Sequence, residues 1–303
     1  MNTVFMNCLN FCEVYGRIPY FYITGGDPIL HPYFWELLET LNAHKISFSI
    51  LGNPFHIDDK TCRKLKALGC EKYQLSIDGM KDTHDFFRKP GSFDETLCKI
   101  KAINDAGICS VIMSTVSGLN IHEIPDVIDT VVEHGVEVYS FARYCPTGSG
   151  MDTGITPSEY RDFLRLCDTK FRKYEEECCK TYFDRKDHLW TLYEYEAGKF
   201  RIPEYAEPGK IYGGCNCGNA HLTILPSGDV YACRRVQGSR VGNALTGKLA
   251  DLWVNEMEMY REYNNFSKCS KCELLPYCRG CPAVAKGKYG DFYAQDPQCW
   301  KEI

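Results

Sequence analysis

Between residues 19 and 142 one pattern repeats: a short, continuous apolar β-run followed by an amphipathic helical segment. The runs are 19–24 (PYFYIT), 46–51 (ISFSIL), 72–77 (KYQLSI), 109–115 (CSVIMST) and 136–142 (VEVYSFA). Strands apolar on both faces need cover on both faces, and connections long enough for a helix join parallel neighbours. Helical patterns fill 31–44, 58–69, 92–107 and 120–135, three of them ending on the C′ glycines Gly69, Gly107 and Gly135. The expected class is therefore α/β, either a barrel or a doubly wound sheet. Ahead of the first run, Val4, Phe5, Cys8, Leu9 and Cys12 recur at helical spacing. This reads as a barrel helix without the strand that should precede it.

The balance of the 303 residues suits an ordinary core, with 44% apolar and 25% charged. Thirty-five Lys and Arg against 40 Asp and Glu leave a formal charge of −5 and no basic run. Nucleic acid and an anionic membrane surface are thus not expected partners. No stretch approaches 18 apolar residues, and the start of the chain lacks the basic and apolar regions of a secretory signal. The expected compartment is the cytoplasm, where 18 cysteines serve metal ligation or catalysis rather than disulfides.

Beyond residue 150 the pattern changes. A helical stretch runs from Pro157 to about Lys180, and the aromatic, charged segment 187–214 reads as a bridge that also lines a site. Residues 220–233 form a hairpin around Pro-Ser-Gly-Asp, and 249–263 a helical piece.

Two constellations carry chemistry. Gly25, Gly26, Asp27 and Pro28 follow the first β-run directly, leaving backbone groups bare at the end where α/β folds bind ligands. A plain turn with Asp27 as helix N-cap is the bland alternative. Ser76 and Asp78 close the third run, Ser114 with Thr115 and Asn120 the fourth, and Arg143 with a Gly-rich turn reaching residue 150 the fifth. Polar groups at the same end of four strands are best explained by one small-molecule site. The second constellation is Cys215, Cys217, Cys233, Cys269, Cys272, Cys278, Cys281 and Cys299, enough for two four-thiolate sites. Spacing alone leaves zinc and iron–sulfur equally open. Cys62, Cys70, Cys98 and Cys109 read as small buried hydrophobes.

These constellations, in this order, resemble the radical S-adenosylmethionine (SAM) enzymes with a C-terminal SPASM domain, over nearly the whole chain. Gly25-Gly26-Asp27-Pro28 is similar to the family motif whose backbone meets the SAM amino group. Ser76, Asp78, Ser114 and Arg143 match positions that line the SAM pocket in relatives. Cys217-x10-Gly228-x4-Cys233 and Cys269-x2-Cys272-x5-Cys278 fit the SPASM spacing, while Cys281 follows after two residues where the family has three. The resemblance implies one auxiliary [4Fe–4S] cluster on Cys215, Cys217, Cys233 and Cys281, and another on Cys269, Cys272, Cys278 and Cys299.

The resemblance further implies a partial (βα)6 TIM-like barrel lacking its first strand over 1–150, a bridge over 151–214 and a SPASM domain over 215–303. The family's C-x3-C-x2-C motif is missing: Cys8-x3-Cys12 is followed by Tyr15 at the third ligand position. Cys8 and Cys12 are read as helix residues, the chain as starting inside the family's first helix, and the SAM-cleaving cluster as belonging to a full-length form. The implied activity is hydrogen abstraction by a 5′-deoxyadenosyl radical on a peptide or protein side chain, supplied by a flavodoxin- or ferredoxin-type electron donor. Two alternatives stand beside it: a non-catalytic iron–sulfur protein that binds SAM or peptide, and an α/β enzyme with a zinc-stapled tail.

Overall fold

The computed structural model describes residues 2–147, 153–207 and 209–303. In chain order the elements begin with α1 (Asn2–Val14), β1 (Phe21–Ile23), α2 (Phe34–Ala43), β2 (Phe48–Leu51), α3 (Asp59–Ala67) and β3 (Cys70–Ser76). There follow α4 (Lys81–Phe87), α5 (Ser92–Asp105), β4 (Cys109–Val116), α6 (Ile124–Glu133) and β5 (Val138–Arg143). Next come α7 (Pro157–Glu176), β6 (Tyr182–Asp184) and α8 (Leu189–Glu196). The chain closes with β7 (Thr223–Ile224), β8 (Asp229–Tyr231), β9 (Arg240–Asn243), the single turn α9 (Leu249–Asp251) and α10 (Pro282–Tyr289).

Two compact units are woven from separate stretches of chain, and the division passes through α7. The sheet unit comprises Pro19–Ala142 and Leu166–Lys186. Its six strands stand in sequential order β1 to β6, the order of a barrel wall. Neighbouring strands pair in parallel, with Phe21 opposite Phe48, Lys72 opposite Cys109 and Val138 opposite Tyr182. All five expected β-runs are strands. Helices cover them with periodic faces: α6 buries Ile124, Val127, Ile128 and Val131, and α2 buries Phe34, Leu38 and Leu41. The fold class is α/β as expected, with the six strands forming an open sheet among the described residues.

Three differences have local causes. β6 lies within the expected bridge, because three residues, with Tyr182 exposed, carry almost no periodic signal. α4 escaped for a similar reason: it buries only His84 and leaves Phe86 in solvent. The helix expected over 249–263 breaks after α9 into short π and 3₁₀ turns, where Arg261 bonds outward to the Trp253 and Gly218 carbonyls. Of the four cysteines expected as buried hydrophobes, Cys62 and Cys70 are buried, and Cys109 is half-buried. Cys98 is exposed, because α5 turns Thr96, Leu97, Ile100 and Ile103 inward and leaves Cys98 outside that stripe.

The second unit joins the residues up to Ile18 with Arg143–Arg165 and Asp187–Ile303. The helix expected at the start of the chain is α1, and it packs against the cysteine-rich end. Phe5 is buried, while Val4, Cys8 and Phe11 lie on the core that includes Val241, Leu249 and Val284. Asn7 completes the junction. Its Nδ2 donates to the Ala244 and Gly247 carbonyls at 2.9 and 2.7 Å, and its Oδ1 accepts from the Leu249 amide at 2.9 Å. Asn7→Ala leaves three backbone groups without that partner and should cost about 1–3 kcal/mol in a denaturant titration. Leu38→Ala, in the sheet unit, opens a core cavity and should cost about 2–5 kcal/mol.

Candidate functional site

The C-terminal ends of β1 to β4 share one edge, because the strands run parallel. At that edge the chain leaves β1 through Gly25 and Gly26, at φ +121° and +62°. A Cβ added at either would meet nothing within 4 Å, so their backbone faces open space. Asp27 precedes a 3₁₀ turn opened by Pro28, yet its side chain makes no capping bond. Its Oδ2 instead meets His56 Nδ1 at 2.7 Å, and its Oδ1 is buried without a partner. Asn53 Nδ2 reaches the Gly26 carbonyl at 3.5 Å; the exposed backbone around it, beside an orphaned carboxylate oxygen, fits the ammonium and carboxylate groups of an amino-acid-like ligand such as SAM. Gly25 to Pro28 would hold it here.

Ser76 is half-buried at the end of β3. Asp78 is turned inward. Arg88 donates to its Oδ2 through Nε and Nη2 at 2.8 and 2.6 Å, and the Thr115 amide donates to Oδ1 at 2.7 Å. Asn120 bridges the Asp78 and Thr115 carbonyls at 2.7 and 2.8 Å. Ser114 is fully buried and bonds to the Ile77 carbonyl and the Tyr139 hydroxyl. These residues staple the loops after β3 and β4 to one another.

Arg143 belongs to the second unit, and the Gly-rich turn beyond it, residues 148–152, lies outside the described residues. Its side chain has no exposed surface. Nε donates to Asp187 Oδ2 at 3.0 Å, Nη2 to Asp296 Oδ2 at 2.8 Å, and Nη1 to Asp296 Oδ1 and Gln298 Oε1 at 2.5 and 3.0 Å. The guanidinium also stacks 4.9 Å from the Tyr160 ring centre. Where the sequence suggested a SAM contact, these donors are directed to the protein's own carboxylates. Burial pushes the Asp187 carboxyl up, but the Arg143 guanidinium more than offsets this and holds it below the usual range.

The eight C-terminal cysteines separate into two groups of four. Cys215, Cys217 and Cys233 act on one another and on Cys281. Cys269, Cys272, Cys278 and Cys299 form the other set and line one cavity with Leu192 and Leu274. Burial first, then the like charges of neighbouring sulfurs, raises the Cys215 and Cys269 thiols to about 12. A soft, all-thiol donor set, four to a group, fits an iron–sulfur cluster at each place. Among the described residues no three His, Cys, Asp or Glu side chains stand where a single metal ion would hold them together.

Sequence reasoning missed two residues here. Arg279 is buried and donates to the Gly213 and Cys215 carbonyls, fixing the loop that carries the first pair of thiols. Cys145 is a buried thiol with its Sγ 3.9 Å from that of Cys281. The hydrogen bond from Cys145 pulls the Cys281 thiol down, and the same contact pushes Cys145 up. Cys8 and Cys12 stand one turn apart on α1. Burial pushes the Cys8 thiol up to about 11.

Comparison with known proteins is consistent with this geometry. Residues 9–131 match the family model described as the radical SAM superfamily, and 215–282 that of an iron–sulfur cluster-binding domain, SPASM. An AdoMet-dependent heme synthase of Methanosarcina barkeri is 26% identical over 294 residues, covering 93% of this chain and 82% of that protein. The mycofactocin maturase MftC of Mycobacterium tuberculosis is 25% identical over 304 residues, covering 96% and 74%. The crystal structure of Streptococcus suis SuiB bound to the precursor peptide SuiA matches with a TM-score of 0.75 and 20% identity, over 98% of this chain and 69% of that one. A structure of anSMEcpe with bound AdoMet matches at 0.71 and 18%, over 97% and 85%.

Arg143→Ala strands two buried carboxylates and should cost about 3–5 kcal/mol. The pH dependence has a definite sign. Asp187 titrates lower in the folded than in the unfolded chain, so its contribution is whole above about pH 4 and is lost as the pH falls further. Urea titrations at a series of acidic pH values should show that slope in the wild type and a weaker one in Arg143→Ala.

Proposed function

We propose that the chain, whose residues 9–131 match the radical SAM superfamily model and 215–282 that of the SPASM domain, matures a peptide or protein side chain. The observation that carries this reading is the combination, in one chain, of an open Gly25-Gly26-Asp27 turn and two separate four-thiol groups. Similarity to mycofactocin maturase supports a peptide substrate. When bound, SAM and its cluster supply the hydrogen-abstracting radical, and the auxiliary clusters accept or pass electrons. The protein's part is to seat SAM on the glycine turn, hold the loops after β3 and β4 with Asp78, Ser114 and Asn120, and fix the thiols with Arg279 and Asp296. The setting is the cytoplasm, and no described helix is long and apolar enough to cross a membrane.

A flavodoxin- or ferredoxin-type electron donor completes the reading. Arg161, Lys268, Lys271 and Lys301 line a groove that also contains Cys299 and Trp300. A basic wall beside a cluster ligand suits an acidic carrier. Lys271→Glu should slow reduction by such a carrier and leave reduction by dithionite unchanged, as read by anaerobic stopped-flow absorbance.

The second reading, a non-catalytic cluster protein, is favoured by the placement of Cys8 and Cys12 on α1 with Tyr15 at the third motif position. One experiment separates them. The protein is expressed from its natural gene and incubated anaerobically with SAM, dithionite and peptides encoded beside that gene. Release of 5′-deoxyadenosine with a changed peptide mass is the expected outcome. SAM cleavage that alters an iron porphyrin but no peptide would move the assignment towards the heme synthases. No 5′-deoxyadenosine would leave the binding protein.

A further inference from the structure

The first cysteine group contains one thiol more than a four-iron cluster can use. Cys215, Cys217, Cys233 and Cys281 are four, and Cys145, from the loop that follows β5, is the fifth. Its position is set by the fold. Two residues earlier Arg143 is clamped by Asp187 and Asp296, and one residue later Pro146 packs directly on α10. A Cβ at Gly287 of α10 would overlap the Pro146 carbonyl, so that approach needs glycine. Cys281 is the N-cap residue of the same helix, and its amide donates to Asp296 Oδ2 at 2.7 Å. Arg143 and α10 together thus bring the two sulfurs face to face.

The surroundings give Cys145 a direction. Arg235 Nη1 lies 3.6 Å from the Cys145 sulfur and donates to it, leaving the Cys145 S–H to donate onward. Two acceptors are in reach, the Arg143 carbonyl at 3.8 Å and the Cys281 sulfur at 3.9 Å. Once Cys281 is a cluster thiolate it is the more electron-rich of the two, and a hydrogen bond to a charged sulfur is the stronger. A cubane iron takes one thiolate each, so two sulfurs this close serve one iron position between them, and the second remains a thiol.

We propose that Cys145 is a positioning residue of the first auxiliary cluster, donating its S–H to the ligand sulfur of Cys281 and itself polarised by Arg235. Hydrogen bonds to cluster sulfurs stabilise the reduced, more negative cluster and raise its potential. Removing this one lowers the potential without removing a ligand. The inference rests on the reading that Cys215, Cys217, Cys233 and Cys281 hold a cluster.

The test uses the 303-residue chain reconstituted anaerobically with iron and sulfide, as wild type, Cys145→Ala, Cys145→Ser and Cys281→Ala. Iron and sulfide are counted, and each cluster's potential is read by dithionite titration followed by electron paramagnetic resonance. Cys281→Ala identifies the first cluster's signal by perturbing or removing it. Cys145→Ala should keep the wild-type iron count and shift that signal to a lower potential, leaving the second cluster unmoved. Cys145→Ser, which retains a donor, should shift it less. An unchanged potential in Cys145→Ala overturns the proposal, and so does a loss of iron, which would make Cys145 a ligand. A wild type that takes up no iron and sulfide at this group overturns the cluster reading itself, together with the proposal.

Discussion

The second unit depends on one buried charge. Arg143 has no contact with solvent, and a guanidinium in that position is tolerable only if every donor is matched. Its partners come from the segment before α8 and from the last residues of the chain, so three distant stretches meet at one side chain. One positive charge faces two carboxylates, and backbone amides balance the remainder. Asp187 accepts from Leu189, and Asp296 from Gln298 and Cys281. Asp296 also lines the cavity of the second cysteine group, and its carbonyl accepts from the Cys299 amide. Both groups of thiols therefore take their positions partly from the same ion pair.

In the sheet unit polar residues divide by a simple rule. A buried donor or acceptor must find a partner, and Asp78, Ser114 and Asn120 find theirs in the loops around them. What stays available to a ligand is mainly backbone, at Gly25 and Gly26, with the orphaned oxygen of Asp27 beside it. Side chains build the rim, and the binding surface is left to groups that cannot rotate away.

The sequence was most readable where structure repeats. Five β-runs and four helical patterns became strands and helices because burial on both faces, or on one stripe, writes itself into consecutive residues. The glycine turn was legible for a related reason, since it is a local spacing, whereas the sorting of eight cysteines into two sets came from the family resemblance and not from spacing. Contacts that depend on distant chain were not legible. Nothing near residue 143 announces that its partners lie at 187 and 296, and nothing near Cys145 announces Cys281, 136 positions away. Asn7 looked like any polar residue on a helix, although it caps a junction with residues 244–249. Short elements such as β6 and α4 were missed because three to seven residues hold too few apolar positions to set a period.

The junction at Asn7 also bears on how the molecule is made. Its bonds span 237 to 242 residues, so α1 leaves the ribosome long before its partners exist. The parallel sheet, assembled mainly from neighbouring stretches between 19 and 142, can form during synthesis. Until the last residues emerge, α1 carries Phe5 and Phe11 without their final cover. The nascent chain thus passes through a stage with a folded sheet and an uncovered α1. Chaperone capture and premature aggregation would concentrate at α1, which waits longest for its cover.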